Sequence, residues 1–167
     1  MAATITVLFP TIEGNSTTEA KAFDVSSWHW GMSNSGSCHV NNANTSTAAA
    51  DVRDLTFTKI MDPSSVNIAK ACFLGTDVAA TKEITLSMWK ASVAGPWWFI
   101  KITLSGKAII SSYSLGEQDA NGNYLETVTL NFEKVKLSYT AEDPKTAGVK
   151  GKESPGFVLD IPTHKST

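Results

Sequence analysis

The sequence predicts a mainly β protein, a barrel or sandwich, with one short helix plugging an end. Apolar residues alternate with period two along most of the chain. The longest alternating run changes parity partway, and one segment carries helix start and stop signals. The 167 residues have the size of one ordinary domain, and 42% of them are hydrophobic. A chain of this size buries a sizeable core, so we expect a single domain over residues 1–167.

Alternating segments mark the predicted strands in order. The first strand places Ile5, Val7 and Phe9 on one face and ends at Pro10. The second strand, residues 23–30, has Val25, Ser27 and His29 on one face, and Ser26, Trp28 and Trp30 on the other. The next strands are marked by these apolar residues: Leu55 and Phe57; Ile84, Leu86 and Met88; Ile100, Ile102 and Leu104.

A longer run, residues 126–139, changes parity without a turn residue. Its apolar residues form two sets: Val128, Leu130 and Phe132, then Val135, Leu137 and Tyr139. A β-bulge or sharp bend near Glu133 and Lys134 would keep both sets inward, as at the corner of a barrel. The parity change therefore predicts a corner at this point.

One helix is expected between residues 62 and 75. Asp62 is a favoured N-cap residue, Pro63 suits the first helical position, and Gly75 follows the last periodic residue. The apolar stripe by which this helix would plug the barrel is Val66, Ala69 and Phe73.

Two segments are expected to be loops, and the last residues a flexible tail. Residues 32–50 are long, small and polar, and loops of this length are usually functional or disordered. Residues 143–155 combine lysines with Gly and Pro, as in a surface connection. The flexible tail is expected at about residues 162–167.

Charge and composition argue against several partners. The formal net charge of −2 gives no general attraction to nucleic acid or acidic lipid. No apolar run reaches about 18 residues, so we expect no membrane insertion. The N-terminus lacks the basic residues of a signal peptide. Cys38 and Cys72 are interpreted as free thiols in a reducing compartment.

The sequence contains few residues in the arrangements that catalysis or metal binding requires, so we expect no enzymatic activity, cofactor or metal. None of the common nucleophile, phosphate-binding or metal motifs occurs. His39 beside Cys38 lacks further ligands at metal-site spacing. Asp24 has the opposite parity to His29, which argues against a catalytic couple. Nearer the C-terminus, Glu117 and Asp119 lie just before Asn121-Gly122, which is a turn signature and not an acid/base pair.

The ordered set of these segments resembles the haemolysin-coregulated protein (Hcp) family, the tube proteins of bacterial type VI secretion. The residues that carry the resemblance are Glu13-Gly14-Asn15-Ser16, Phe23-Asp24-Val25, Trp28-His29-Trp30-Gly31-Met32-Ser33, Asp54-Leu55-Thr56-Phe57-Thr58-Lys59, Asp62, Asn67, Ala71-Cys72 and Thr127-Val128-Thr129-Leu130-Asn131-Phe132. Together they span nearly the whole chain.

The resemblance implies a small β-barrel of two packed antiparallel sheets, with one short α-helix at the side and a long extended loop. Six copies would form a ring, and rings would stack into a tube that is expelled from the cell. The expected partners are further copies of the chain, small effectors held in the channel, and the tip (spike) and sheath proteins. The protein would reside in the bacterial cytoplasm and leave through the apparatus without a signal peptide.

Particular residues acquire roles through the same resemblance. The channel-lining and effector-binding residues would be His29, Ser27 and Val25, with Trp28 and Trp30 in the barrel wall. The ring-stacking loop would include Gly36, Ser37, Cys38, His39, Val40, Asn41, Asn42 and Asn44. This loop is rich in Asn, Thr and Ala, whereas the family's loop is usually rich in glycine.

Two other readings stay open. A monomeric β-sandwich that binds carbohydrate or protein could use Trp97 or Trp98 as a stacking surface. Because adjacent strand residues face opposite sides, one of these tryptophans is expected in the core and the other at the surface. A hydrolase with a site dispersed along the chain is the remaining alternative.

Overall fold

The computed structural model describes residues 4–35, 50–92 and 95–166. The strands are β1 (Thr4–Leu8), β2 (Phe23–Val25), β3 (Ser27–His29), β4 (Met32–Asn34), β5 (Ala50–Val52), β6 (Leu55–Ile60), β7 (Ile84–Lys90), β8 (Trp97–Gln118), β9 (Tyr124–Glu142), β10 (Lys150–Glu153), β11 (Phe157–Asp160) and β12 (Lys165–Ser166), and helix α1 (Ser65–Leu74) follows β6. The fold is mainly β with one short helix, which confirms the predicted class.

Antiparallel pairing joins most of the strands in the order β12-β11-β9-β8-β7-β1-β2. Strand β6 pairs with β9 on one side and with β3 on the other. The ladders do not close into a continuous barrel, because β2 and β3 are separate strands on either side of Ser26. At this break, Ser26 N donates to Thr58 O at 2.8 Å. At Ser26 the chain thus passes from β2, which pairs with β1, to β3, which pairs with β6.

The interior is filled by the inward residues of the predicted strands. Phe9 packs edge-on against Phe23, with ring centroids 5.4 Å apart, and Phe57 lies 6.1 Å from Phe9. Both Trp28 and Trp30 are partly buried against this core. The expectation that the two tryptophans lie in the wall of the fold is therefore confirmed.

Helix α1 ends as predicted but turns a different face inward. Gly75 caps it in the left-handed conformation, with φ 61°, while Ser64 rather than Asp62 occupies the N-cap. Asp62 instead accepts hydrogen bonds from Ser64. The residues that α1 buries are Ser65, Ile68 and Ala71. The predicted stripe is therefore wrong as a core stripe, since Val66 is 69% and Phe73 90% exposed.

The long strands show how the parity change is accommodated. Val128 and Val135 are both buried, as the predicted corner requires. The register between β8 and β9 shifts between Ser105 and Ala108, opposite Glu133. The extra residue of this bulge lies on β8, where Gly106 has φ 75°. The bulge predicted near Glu133 is confirmed, on the partner strand. The second apolar set is only partly inward, because Val135 is buried but Tyr139 is 50% exposed.

Some predicted loop residues form strands. Residues 32–34 of the expected long loop pair with residues 50–52 as the separate hairpin ladder of β4 and β5. Strand β10 lies within the expected 143–155 connection and pairs with β9. Residues 165–166 of the expected tail pair with β11. The expected ring-stacking residues, Gly36 to Asn44, lie outside the described residues, and Cys38 and His39 are among them.

Candidate functional site

Strand β3 presents two of the three predicted channel residues together. Ser27 and His29 are both exposed on one side of β3, opposite Thr58 and Thr56 of β6. Val25 is only 8% exposed and packs in the core. The strand is broken at Ser26, so the alternation of inward and outward side chains in β2 does not continue into β3. The expectation that Val25 shares a face with Ser27 and His29 is therefore wrong.

The exposed side of β3 continues across β6, β9 and β8 as a hydroxyl-rich surface. We call it the hydroxyl face; its residues are Ser27, His29, Thr56, Thr58, Thr127, Thr129, Ser112 and Ser114. One cross-strand row runs Ser27, Thr58, Thr127, Ser114, and the next runs His29, Thr56, Thr129, Ser112. The face is continuous because residues directly opposite in paired strands lie side by side.

Hydrogen bonds between threonines hold the middle of the hydroxyl face. Thr56 Oγ1 lies 3.0 Å from Thr129 Oγ1, and Thr58 Oγ1 lies 3.2 Å from Thr127 Oγ1. Sequence reasoning identified only the β3 part of this face. The sequence does contain a pattern that predicts the β6 and β9 parts of the face. The residues that alternate with apolar residues there are Thr56, Thr58, Thr127 and Thr129.

The hydroxyl face carries little charge. His29 is its single titratable member. At the border of the face, Asp54 accepts hydrogen bonds from Ser111 Oγ at 2.6 Å and Asn131 Nδ2 at 2.8 Å. A largely uncharged surface of short side chains, with Asp54 at its border, offers hydrogen bonds to many partners.

The opposite side of the same strands contains a buried ion pair. Lys59 Nζ lies 2.5 Å from Glu126 Oε1, and the two side chains are 1% and 0% exposed. Tyr113 Oη donates to Glu126 Oε2 at 2.8 Å. Burial, and then this hydrogen bond to the carboxylate, raises the pKa of Tyr113 to about 12. The network joins β6, β8 and β9 beneath the hydroxyl face.

The remaining polar candidates do not assemble into reactive groups. Asp24 accepts a hydrogen bond from Ser16 Oγ at 2.5 Å and pairs in the ladder with Thr6. Among the described residues, no group of three or more His, Cys, Asp or Glu could hold a metal ion. Asp119 accepts hydrogen bonds from the side chain and backbone of Asn123 and from the backbone of Asn121, which confirms the predicted turn and lowers the pKa of the Asp119 carboxyl.

The paired tryptophans divide as predicted. Trp97 is 7% exposed, and its Nε1 donates to Gly148 O at 3.1 Å. Trp98 is half-buried, with Lys101 Nζ and Lys150 Nζ at 5.7 and 5.0 Å from its ring centroid. Both ammonium groups lie over the ring of Trp98, where a cation is attracted to the electron-rich aromatic face. Trp98 is thus already covered in part by the chain's own lysines.

A β fold with a broad, hydroxyl-rich and largely uncharged face is suited to binding or assembly. Residues 5–139 match the family model described as type VI secretion system effector, Hcp. The chain therefore belongs to the Hcp family of type VI secretion tube proteins, a secreted structural family that is not known for enzymatic activity. In the described part of the chain, no helix has the length and apolar character needed to cross a bilayer.

Individual relatives agree with the family assignment. Protein hcp1 of Pseudomonas aeruginosa PAO1 is 34% identical over 100 residues, which cover 60% of this chain and 58% of the relative. The match thus spans less than two thirds of that curated relative. Among solved structures, Hcp1 from Salmonella typhimurium has a TM-score of 0.75 at 25% identity, with both chains fully covered. A structure described as a type six secretion system protein has a TM-score of 0.85 at 21% identity, covering 99% and 100% of the two chains, and shows the shared fold.

Proposed function

We propose that six copies of this chain form a ring whose channel is lined by the hydroxyl face. Rings would stack into the inner tube of a type VI apparatus and hold small effectors in the channel before expulsion. The observation that carries the proposal is the hydroxyl-rich, largely uncharged face of β3, β6, β9 and β8. A channel that admits different cargo proteins favours a surface without strong fixed charge, because like charges repel part of the cargo.

The edges of the same sheet support a ring. Among the described strands, β3 pairs only with β6, and residues 112–118 of β8 pair only with β9. Each end of the strand order β3-β6-β9-β8 therefore carries backbone groups that a neighbouring copy could cover. Contacts between different edges are heterologous, and such contacts close into rings when the rotation permits.

The stacking and transport parts of the proposal rest on the family. Residues 36–44 would contact the next ring, and tip and sheath proteins would meet the assembled tube. The protein would pass from the bacterial cytoplasm through the apparatus without a signal peptide. In this scheme His29 and Ser27 contact effectors, whereas Val25 supports the wall from inside.

Light scattering and negative-stain imaging of the purified chain test the ring directly. We expect a particle with a central hole and a mass near six times the 17.9 kDa monomer. A strict monomer at tens of micromolar would overturn the proposal. If that monomer bound glycans through Trp98, the carbohydrate-binding reading would replace it.

A further inference from the structure

Helix α1 exposes an apolar stripe, which we define as Val66, Phe73 and Leu74. Their exposed fractions are 69%, 90% and 61%. The only charged residue of the helix is Lys70, which lies within the same outward face. A monomer seldom leaves adjacent large apolar residues so exposed, and such patches mark interaction sites. The stripe is therefore a candidate contact surface.

The position of α1 places the stripe beside the unpaired edge of β8. Near its start, Ser65 Oγ lies 3.4 Å from Lys59 Nζ, within the network that includes Tyr113 of β8. Beyond its end, Val78 N donates to Ala108 O at 2.8 Å. The helix thus runs along the portion of β8 that follows the pairing with β7. A neighbour that covers this edge of β8 also meets the stripe.

A groove lies where β2 bends into β3 and β6 ends, just before the start of α1. Its volume is about 350 Å³, and its lining includes Asp24, Ser26, Ile60, Met61 and Asp62. Ile60 and Met61 are 47% and 45% exposed, which gives the groove an apolar floor. Asp24 is exposed and has no ion-pair partner among the described residues. The groove is therefore apolar with an acidic margin.

We propose that the apolar stripe of one copy packs into the groove of the next copy around the ring. Apolar residues meet apolar residues, and Lys70, which lies on the same outward face of α1 as the stripe, meets the acidic margin at Asp24. The stripe and the groove are different surfaces of one copy, with Phe73 and Leu74 at the end of α1 that lies farther along the chain from the groove, so a contact between them in neighbouring copies is heterologous. This inference rests on the proposed ring and assigns its subunit interface.

Disulfide trapping tests the assignment. In a Cys38→Ser, Cys72→Ser background, we would combine Phe73→Cys with Met61→Cys and oxidise the assembled protein. We expect a non-reducing gel ladder that extends to six subunits, and no ladder from either single cysteine variant. The control pair, Phe73→Cys with Phe157→Cys on β11, should give no ladder. Rings of full mass without a specific ladder overturn the interface but leave the ring standing, whereas a monomeric parent protein overturns both.

A second variant measures the strength of the contact. We expect Phe73→Asp to raise the concentration at which half of the rings dissociate by at least about tenfold, because it removes an apolar anchor. The control is Phe157→Asp, at a residue that is 41% exposed, which should leave that concentration unchanged. Since Phe73 is 90% exposed, the monomer should keep its far-ultraviolet circular dichroism spectrum. If Phe73→Asp leaves the concentration for half-dissociation of the rings unchanged, the proposal is overturned, and the stripe does not contact the neighbouring copy.

Discussion

Lys59 and Glu126 form an ion pair in the interior, with 2.5 Å between Nζ and Oε1. Lys59 Nζ also lies 3.2 Å from Asp62 Oδ1, just before helix α1. Tyr113 donates to the second oxygen of Glu126. One buried lysine therefore links β6 and β9 to the start of the helix. Such a pair stabilises only while both partners are present, because either charge alone is costly to bury.

Removing one partner of this pair should be strongly destabilising. We expect Lys59→Met to lower the free energy of unfolding by roughly 3–5 kcal/mol, since the buried Glu126 side chain then loses its ion-pair partner. The double variant Lys59→Met, Glu126→Leu should lose less than Lys59→Met alone. Urea denaturation measures both. Lys21→Met, at the exposed pair with Glu13, is the control and should change the free energy by less than about 1 kcal/mol. Equal losses for Lys59→Met and Lys21→Met would contradict the argument.

The raised pKa of Tyr113 predicts a pH dependence in alkali. The folded state holds the phenol proton up to a pKa of about 12, whereas an unperturbed tyrosine has a pKa of 10.0. The stabilisation is therefore complete below pH 10 and is lost as the pH rises toward about 12. Urea midpoints across this range should fall more steeply for the parent protein than for Tyr113→Phe. Parallel curves for the two proteins would show that Tyr113 does not contribute.

Glycine 14 should tolerate no side chain. A Cβ there would lie 2.2 Å from Ala22 O and 2.6 Å from a ring carbon of Phe23. We expect Gly14→Ala to cost about 1–3 kcal/mol in the free energy of unfolding, as overpacking does. Gly31→Ala is the matched control, because a Cβ at Gly31 meets nothing within 4 Å. Thermal or urea denaturation of the two variants measures the contrast, and similar stabilities would refute it.

His29 should matter for cargo and not for assembly. Its side chain is exposed on the hydroxyl face, so His29→Arg adds bulk and fixed charge without entering the core. We expect rings of unchanged mass that no longer retain small effectors in a co-purification assay. His164→Arg, at an exposed turn next to β12, is the control and should retain them. Loss of the ring in His29→Arg would place His29 in a subunit interface instead.

Local patterns predicted much of the fold because they depend on neighbours in the chain. Period-two alternation located the main strands, and the parity change predicted a corner near Glu133. Gly75 ends helix α1 as predicted, since a left-handed residue at that position favours glycine. Each of these features is encoded within a few residues, where side-chain period and backbone preference suffice.

Contacts between distant residues escaped the same reasoning. The alternation did not show that Ser112 and Ser114 extend the face of His29, because β8 reaches β3 only through β9 and β6. Nor did it show that Met32 to Asn34 pair with residues 50–52, or that Lys59 meets Glu126 across 67 positions. Burial of a lysine runs against its usual exposure and is recognised only with its partner present.

By itself, the sequence determined the mainly β class, the faces of the unbroken strands, the end of the helix and the family resemblance. Tertiary structure decided which of two stripes of α1 is buried, and that Val25 enters the core while Ser27 and His29 stay outside. In a regular element, periodicity shows which residues share a face, but only packing against other elements decides whether that face meets the core or the solvent. Between β2 and β3 the period itself is interrupted at Ser26, so residues that alternate regularly in the sequence lie on different sides.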